Sequence, residues 1–174
     1  MSGDKGTDPT TATLGPVLDF MRLVWAVDHG LAARSKRMES QLGMTGPQRF
    51  VVRVVGRFPG IAAGQLAEIL HLHPSTLTGI LQRLETAGLV KRKDDPVDRR
   101  RALFELSPKG KRLDVPRAAT VEDAVQKTLA SLRDAEIATA RKVLTALAGE
   151  LDERDAAPKK PAAKKPAAKK AAKK

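Results

Sequence analysis

Residues 90–110 read VKRKDDPVDRRRALFELSPKG. Six basic side chains, Lys91, Arg92, Lys93, Arg99, Arg100 and Arg101, fall within eleven positions around Asp94-Asp95-Pro96. Asp and Pro in this order make a turn, because the carboxylate accepts nearby backbone N–H groups and proline presets φ. Beyond the turn, residues 102–106 alternate with a period near two. The stretch therefore predicts a β-hairpin with a basic tip. Like charges this close repel one another, so the hairpin points to a polyanion outside the fold.

The residues before it predict a helix. Pro74 suits a first helical turn. Leu77, Ile80, Leu81 and Leu84 form one apolar stripe, and Ser75, Thr78, Gly79 and Gln82 lie opposite, with Arg83 at the flank. Gly88 ends it. Upstream, "HLHP" makes a turn after a short helix over 63–70 that carries Leu66, Ile69 and Leu70. Earlier still, "MTGPQRFVVRVVGRFPG" opens a helix at Thr45, with Gln48 completing a capping box. Phe50, Val51, Val54 and Val55 are expected to face inward, and "FPG" stops the helix. Residues 14–42 predict one long helix or a helix pair, with Gly30 a place for a kink. Val17, Leu18, Met21, Val24, Trp25 and Leu31 are its apolar positions. After Ser107, a plausible N-cap, residues 108–150 predict two or more helices broken near Pro116. Their apolar positions are Val121, Val125, Leu129 and Leu132, then Ile137, Val143, Leu144 and Leu147.

The net charge of +12 over 174 residues is unevenly placed. From Pro158 onward the chain holds eight lysines and no acid: Lys159, Lys160, Lys164, Lys165, Lys169, Lys170, Lys173 and Lys174. Residues 71–113 hold ten basic and five acidic residues. This balance favours nucleic acid first and an anionic membrane second. The Lys-Ala-Pro tail has nothing to bury and is expected to be disordered over 153–174, as is an N-terminal arm over 1–13. Extended at about 3 Å per residue, seventeen tail residues reach roughly 50 Å. Cysteine is absent, which excludes disulfides, thiolate metal sites and thiol redox sensing. No apolar run approaches a membrane span, and the start lacks the pattern of a secretory signal. A cytoplasmic, nucleoid-associated location is expected.

Short helix, turn, amphipathic helix and basic hairpin, in that order, describe a winged helix-turn-helix. A helix entering the major groove, about 12 Å wide, needs short donors and acceptors at its leading end. Ser75, Thr76, Thr78 and Gln82 supply them, and Arg83 is placed for phosphate. The hairpin then lies over the adjacent minor groove, where arginine is the favoured probe. Lys91, Lys93, Arg99, Arg100 and Arg101 carry that contact, with Asp98 two residues from Arg100 and able to aim its guanidinium. The eight tail lysines add phosphate contacts and counterion release.

The residues "LAEILHLHPSTLTGILQRLETAGLVKRKDDPVDRRRALFELSPKG" (66–110) resemble the DNA-binding core of the MarR family of bacterial transcriptional regulators. Leu-Ala before the turn, Ser-Thr-x-Thr opening the recognition helix and Leu-Glu-x-x-Gly-Leu-Val closing it carry the resemblance. Pro-x-Asp-Arg-Arg in the wing and Leu-Ser-x-x-Gly after it complete the pattern. A looser likeness extends over 14–60 and to "LRDAEIATARKVLTAL". The resemblance implies a mainly α fold with a small β-hairpin wing, in an intertwined helical homodimer. Residues 61–107 are then the winged helix-turn-helix of a domain spanning 14–152, and 14–60 and 108–152 are dimerisation elements. It also implies Asp98 and Arg100 as the wing-tip pair. Pro74 and Gly79 depart from the family, many members having Arg or another polar group there, which shifts weight toward shape and phosphate. The tail is not a family feature; joined to a winged helix it resembles linker histones.

Two DNA-binding functions follow, a sequence-specific regulator and an architectural, DNA-compacting protein of the nucleoid. Long flanking helices suited to pairing favour the first. An enzyme is not expected: no nucleophile–base pair, carboxylate cluster or phosphate loop is present. No cofactor is expected either. His29, His71 and His73 make a poor metal set, and His73 reads better as a cap or packing residue. Trp25 is expected in the core or a dimer interface, with an effector pocket as the alternative. An unidentified small-molecule effector remains open.

Overall fold

The computed structural model describes residues 14–98 and 100–151. The expected N-terminal arm, Arg99 and the lysine tail lie outside them. The chain divides into two units, residues 1–128 and 129–174. Among the described residues, the first holds α1 (Pro16–Leu42), α2 (Gly46–Arg57), β1 (Ile61–Ala62), α3 (Ala63–Leu70), α4 (Pro74–Thr86), β2 (Val90–Asp94), β3 (Ala102–Leu106), α5 (Pro108–Leu113) and most of α6 (Val121–Ala130). The second unit contains α7 (Asp134–Glu150).

Helix boundaries follow local chemistry. α1 runs unbroken through Gly30, so the region is one helix and not a pair. It ends at Gly43, whose φ of 69° suits a residue without Cβ. α2 opens with the expected box: the Gln48 N–H donates to Thr45 Oγ1, and the Thr45 N–H donates to Gln48 Oε1 at 2.9 Å. The Gly46 N–H also donates to Ser35 Oγ at 2.8 Å, joining α2 to α1. Pro116 lies in the link between α5 and α6, where the break was expected.

The core gathers Val51, Val52 and Val55 of α2, Leu66 of α3, the Leu77, Leu81 and Leu84 stripe of α4, and Phe104 of β3. Phe50 is a correction. It was expected inside but is 56% exposed. At 100° per residue, Val51, Val52, Val54 and Val55 fill an arc that leaves Phe50 on its rim. Trp25 is no core residue of the protomer either, at 61% exposed.

The hairpin gains a third strand. β1 pairs antiparallel with β3 (Ile61 opposite Phe104, Ala62 opposite Leu103), giving the order β1-β3-β2. β2 and β3 pair from Val90–Leu106 to Asp94–Ala102. Alternation buries Phe104 and Leu106 against the helices. Ser107 then ties hairpin to helix: its hydroxyl donates to Gly88 O at 2.6 Å and accepts from the Gly110 N–H at 3.0 Å. Among the described residues, no helix is long and apolar enough to cross a membrane.

Candidate nucleic-acid interface

The start of α4 is built by His73. Its Nδ1 accepts from the Ser75 N–H at 3.3 Å and lies 2.7 Å from Ser75 Oγ, a side-chain cap on one of the orphan donors of the first turn. The expected capping role of His73 is therefore present. His71 sits exposed at the end of α3 with φ of 50°. The two residues fix where α3 stops and α4 begins. With Leu77, Ile80, Leu81 and Leu84 buried, Ser75, Thr76, Thr78, Gln82 and Arg83 are exposed. Thr78 Oγ1 donates to Pro74 O at 2.8 Å. Gly79 lies between Ser75 and Gln82 on this face, and a Cβ there would meet no atom within 4 Å. Apart from Arg83 at its flank, α4 therefore offers an open, uncharged surface, with short side chains at its leading end.

The wing is organised by Asp95. Its Oδ1 accepts from the Val97 N–H at 2.8 Å and the Asp98 N–H at 3.3 Å. The Asp95 N–H donates to Arg101 O, and the Arg101 N–H to Asp98 O. The Val97 N–H, then the Asp98 N–H and the nearby Arg101 charge, hold the Asp95 carboxyl below its ordinary value despite opposing desolvation. Asp98 Oδ1 accepts from the Arg100 backbone N–H at 3.0 Å and from its Nε at 3.2 Å. Arg100 is thus steered at its root while its side chain stays 92% exposed. Lys91, Arg92 and Lys93 are exposed on β2, and Lys93 pairs with Glu105 at 2.7 Å. Arg101 is exposed and lies 3.9 Å from Asp95. Arg99 and the eight tail lysines lie outside the described residues. Val97 projects from the tip, 93% exposed. Nothing in the hydropathy pattern marked it, since a lone valine in a turn has no period.

A second feature was also missed. Arg49 is 1% exposed, and its guanidinium meets the Glu122 carboxylate, with Nε to Oε2 at 2.8 Å. It also donates to Leu113 O at 3.1 Å and Val115 O at 2.7 Å. Beside it, Arg53 pairs with Asp114. This network ties α2, at the base of the winged helix, to the α5–α6 link. A cavity of about 500 Å³ lies nearby, walled by Leu31, Ala32, Pro47, Phe50, Leu70, Leu72 and Val121, with Asp28 and Ser35 as its polar side chains. The exposed ring of Phe50 belongs to this wall. Among the described residues, no group of three His, Asp or Glu side chains could hold a metal.

Residues 42–101, from the end of α1 to the wing, match the MarR family model. The chain is similar to the transcriptional regulator HosA of Escherichia coli. Against the O157:H7 protein it is 32% identical over 93 residues, covering 53% of this chain and 68% of the relative. Against the O111:H- protein it is 34% identical over 84 residues, 48% of this chain and 62% of that relative, short of two thirds of its length. Among solved structures, the PcaV transcriptional regulator of Streptomyces coelicolor in complex with its natural ligand is 26% identical. It matches with a TM-score of 0.60 over 86% of this chain and 98% of PcaV. The S. aureus MepR–DNA complex, 20% identical, shares the fold with a TM-score of 0.64 over 76% of this chain and 97% of MepR. A winged helix-turn-helix of this architecture, a family match across its recognition helix and wing, and a relative alike over most of its length place the chain in the MarR family, whose members are transcriptional regulators and not enzymes.

Proposed function

We propose that the chain is a sequence-specific regulator of transcription that grips duplex DNA as a homodimer. The carrying observation is the pairing of two surfaces on one unit: the uncharged outward face of α4 and the exposed Arg100 aimed by Asp98. The first suits base edges in a major groove, and the second suits the narrow minor groove beside it. Lys91, Lys93, Arg83, Arg99 and Arg101 add charge along the sugar-phosphate path, and the tail lysines extend it. MepR, whose fold this chain shares, was solved with DNA, which supports DNA as the partner. Binding to chromosomal DNA fits the cytoplasmic, nucleoid-associated location expected from the sequence.

Pairing of two copies is supported by apolar side chains of α1 that stay exposed among the described residues. Val17, Trp25 and Val27 of α1 are 69%, 61% and 62% exposed. They point to more than one side of the helix, and α7 buries no residue at all. Helices apolar around so much of their circumference need a partner. A two-fold dimer then sets two recognition helices on a near-palindromic site. The cavity beside Phe50 suits a compact, largely apolar effector.

Genome-wide mapping of bound DNA with the full chain and with a chain truncated after Ala157 tests the reading. Sharp peaks shared by both are expected, with a shallower salt dependence for the shortened chain. Coverage without peaks in both would establish the architectural alternative instead.

A further inference from the structure

Two hydroxyls on the outward face of α4 have their protons bound to the protein itself. Thr78 Oγ1 donates to the carbonyl of Pro74 at 2.8 Å, and a carbonyl can only accept. At Ser75 the direction follows from the cap. His73 Nδ1 serves there as the acceptor of the Ser75 backbone N–H, at 3.3 Å. With the nitrogen in that capping role, the Ser75 hydroxyl, 2.7 Å away, is placed to donate to it. Each oxygen is left with lone pairs facing outward and no proton to give.

We infer that Ser75 and Thr78 meet DNA as acceptors only and select the exocyclic amines of adenine or cytosine in the major groove. This deepens the proposed DNA reading and rests on it. Adenine N6 and cytosine N4 are the donors on the major-groove edges, whereas guanine N7 and O6 and thymine O4 accept. Phosphate oxygens also only accept. An acceptor set against another acceptor gains nothing and loses water from both. These hydroxyls therefore discriminate against guanine, thymine and the backbone. Residues 75 and 78 lie on one helix face, with Gly79 beside them leaving room for a base edge to approach. His73 is a positioning residue: it acts through the proton of Ser75.

Selection of duplexes from a random pool by the full chain supplies the test site. Each adenine of the enriched half-site is then replaced by 2-aminopurine, which still pairs with thymine but has no major-groove amine. Each cytosine is replaced by pyrimidin-2-one, which lacks the N4 amine. The same duplexes are titrated with Thr78→Val and Ser75→Ala, so that any general weakening of the duplex cancels. At one position per hydroxyl, loss of the amine is expected to weaken the native chain roughly threefold to tenfold, the range of one hydrogen bond. It should leave the matching variant unaffected. His73→Ala, with the Ser75 proton released, should admit guanine or thymine at the Ser75 position and leave the Thr78 position unchanged. An enriched site whose affinity ignores amine removal, or whose penalty persists in both variants, overturns this inference alone. A pool with no enriched sequence overturns the regulator reading and this inference with it.

Discussion

Arg49 of α2 and Glu122 of α6, 73 residues apart, form an ion pair whose guanidinium is 1% exposed. All three guanidinium nitrogens have partners: Glu122 and the carbonyls of Leu113 and Val115. The pair joins the floor of the DNA-binding unit to the segment leading out of it. Removing one member of a buried pair strands the other. Glu122→Ala should therefore cost about 3 kcal/mol, the low end for such a loss because Glu122 is itself partly exposed. Replacing both Arg49 and Glu122 with leucine should recover part of that loss. Urea denaturation measures both, and an unmoved midpoint for Glu122→Ala would contradict the buried-pair account.

Gly79 should show stability and binding moving in opposite directions. A Cβ there meets nothing within 4 Å, so Gly79→Ala removes only the entropic penalty of a helical glycine. The expected gain is about 0.5–1 kcal/mol in thermal unfolding. The same methyl stands on the outward face of α4 proposed to enter the groove, so affinity for the selected duplex should fall. A variant that binds as tightly as the native chain would show that bases do not approach this position closely.

Gly110 is the opposite case. A Cβ would lie 2.1 Å from the carbonyl oxygen of Leu89, which is backbone and cannot swing aside. Gly110→Ala should destabilise by about 3 kcal/mol, through forced separation of α5 from the hairpin. Gly64→Ala, where a Cβ has open space, is the control and should be neutral or stabilising. Equal melting temperatures for the two variants would refute the close approach.

The wing should be insensitive to pH across the neutral range and loosen only in acid. The Asp95 carboxyl is held below its ordinary value in the fold, first by the Val97 N–H. Its contribution is therefore fully present above the unfolded value, about 4, and lost as pH falls through the lower folded value. The Val97 and Asp98 amide resonances report the change. Asp95→Asn keeps an oxygen acceptor and should preserve the turn, whereas Asp95→Ala should open it at every pH.

Arg100→Ala should weaken binding to the selected duplex by about 1–3 kcal/mol, the range of a good groove contact. Asp98→Ala should produce a smaller loss in the same direction, because Arg100 keeps its charge but loses the carboxylate that steers it. Binding isotherms at one fixed salt concentration measure both. Unchanged affinity in Arg100→Ala would remove the wing from the mechanism.

Much of the fold around the candidate site was legible before any coordinates. The α4 stripe, the Thr45–Gln48 box, the Ser107 cap and the basic hairpin all depend on residues a few positions apart. Periodicity and capping report such neighbours directly. β1 was not legible, since two residues have no period and Ile61 becomes a strand only because Phe104 lies opposite. Phe50 was misplaced because valines at four neighbouring positions competed for the same arc of α2. Arg49 carried no local signal, because its acid stands 73 positions away.

By itself, the sequence determined the order of α2, α3, α4 and the hairpin, the charge of the wing and tail, and which face of α4 turns outward. Those properties follow from local spacing, backbone preference and charge count. Only the tertiary structure decided that Arg49 is buried on Glu122 and that a third strand backs the hairpin. It also set the Ser75 hydroxyl 2.7 Å from His73 Nδ1 and turned the Thr78 hydroxyl onto the Pro74 carbonyl. Burial depends on which distant segments converge, and the direction of a hydrogen bond depends on where its acceptor sits once they have.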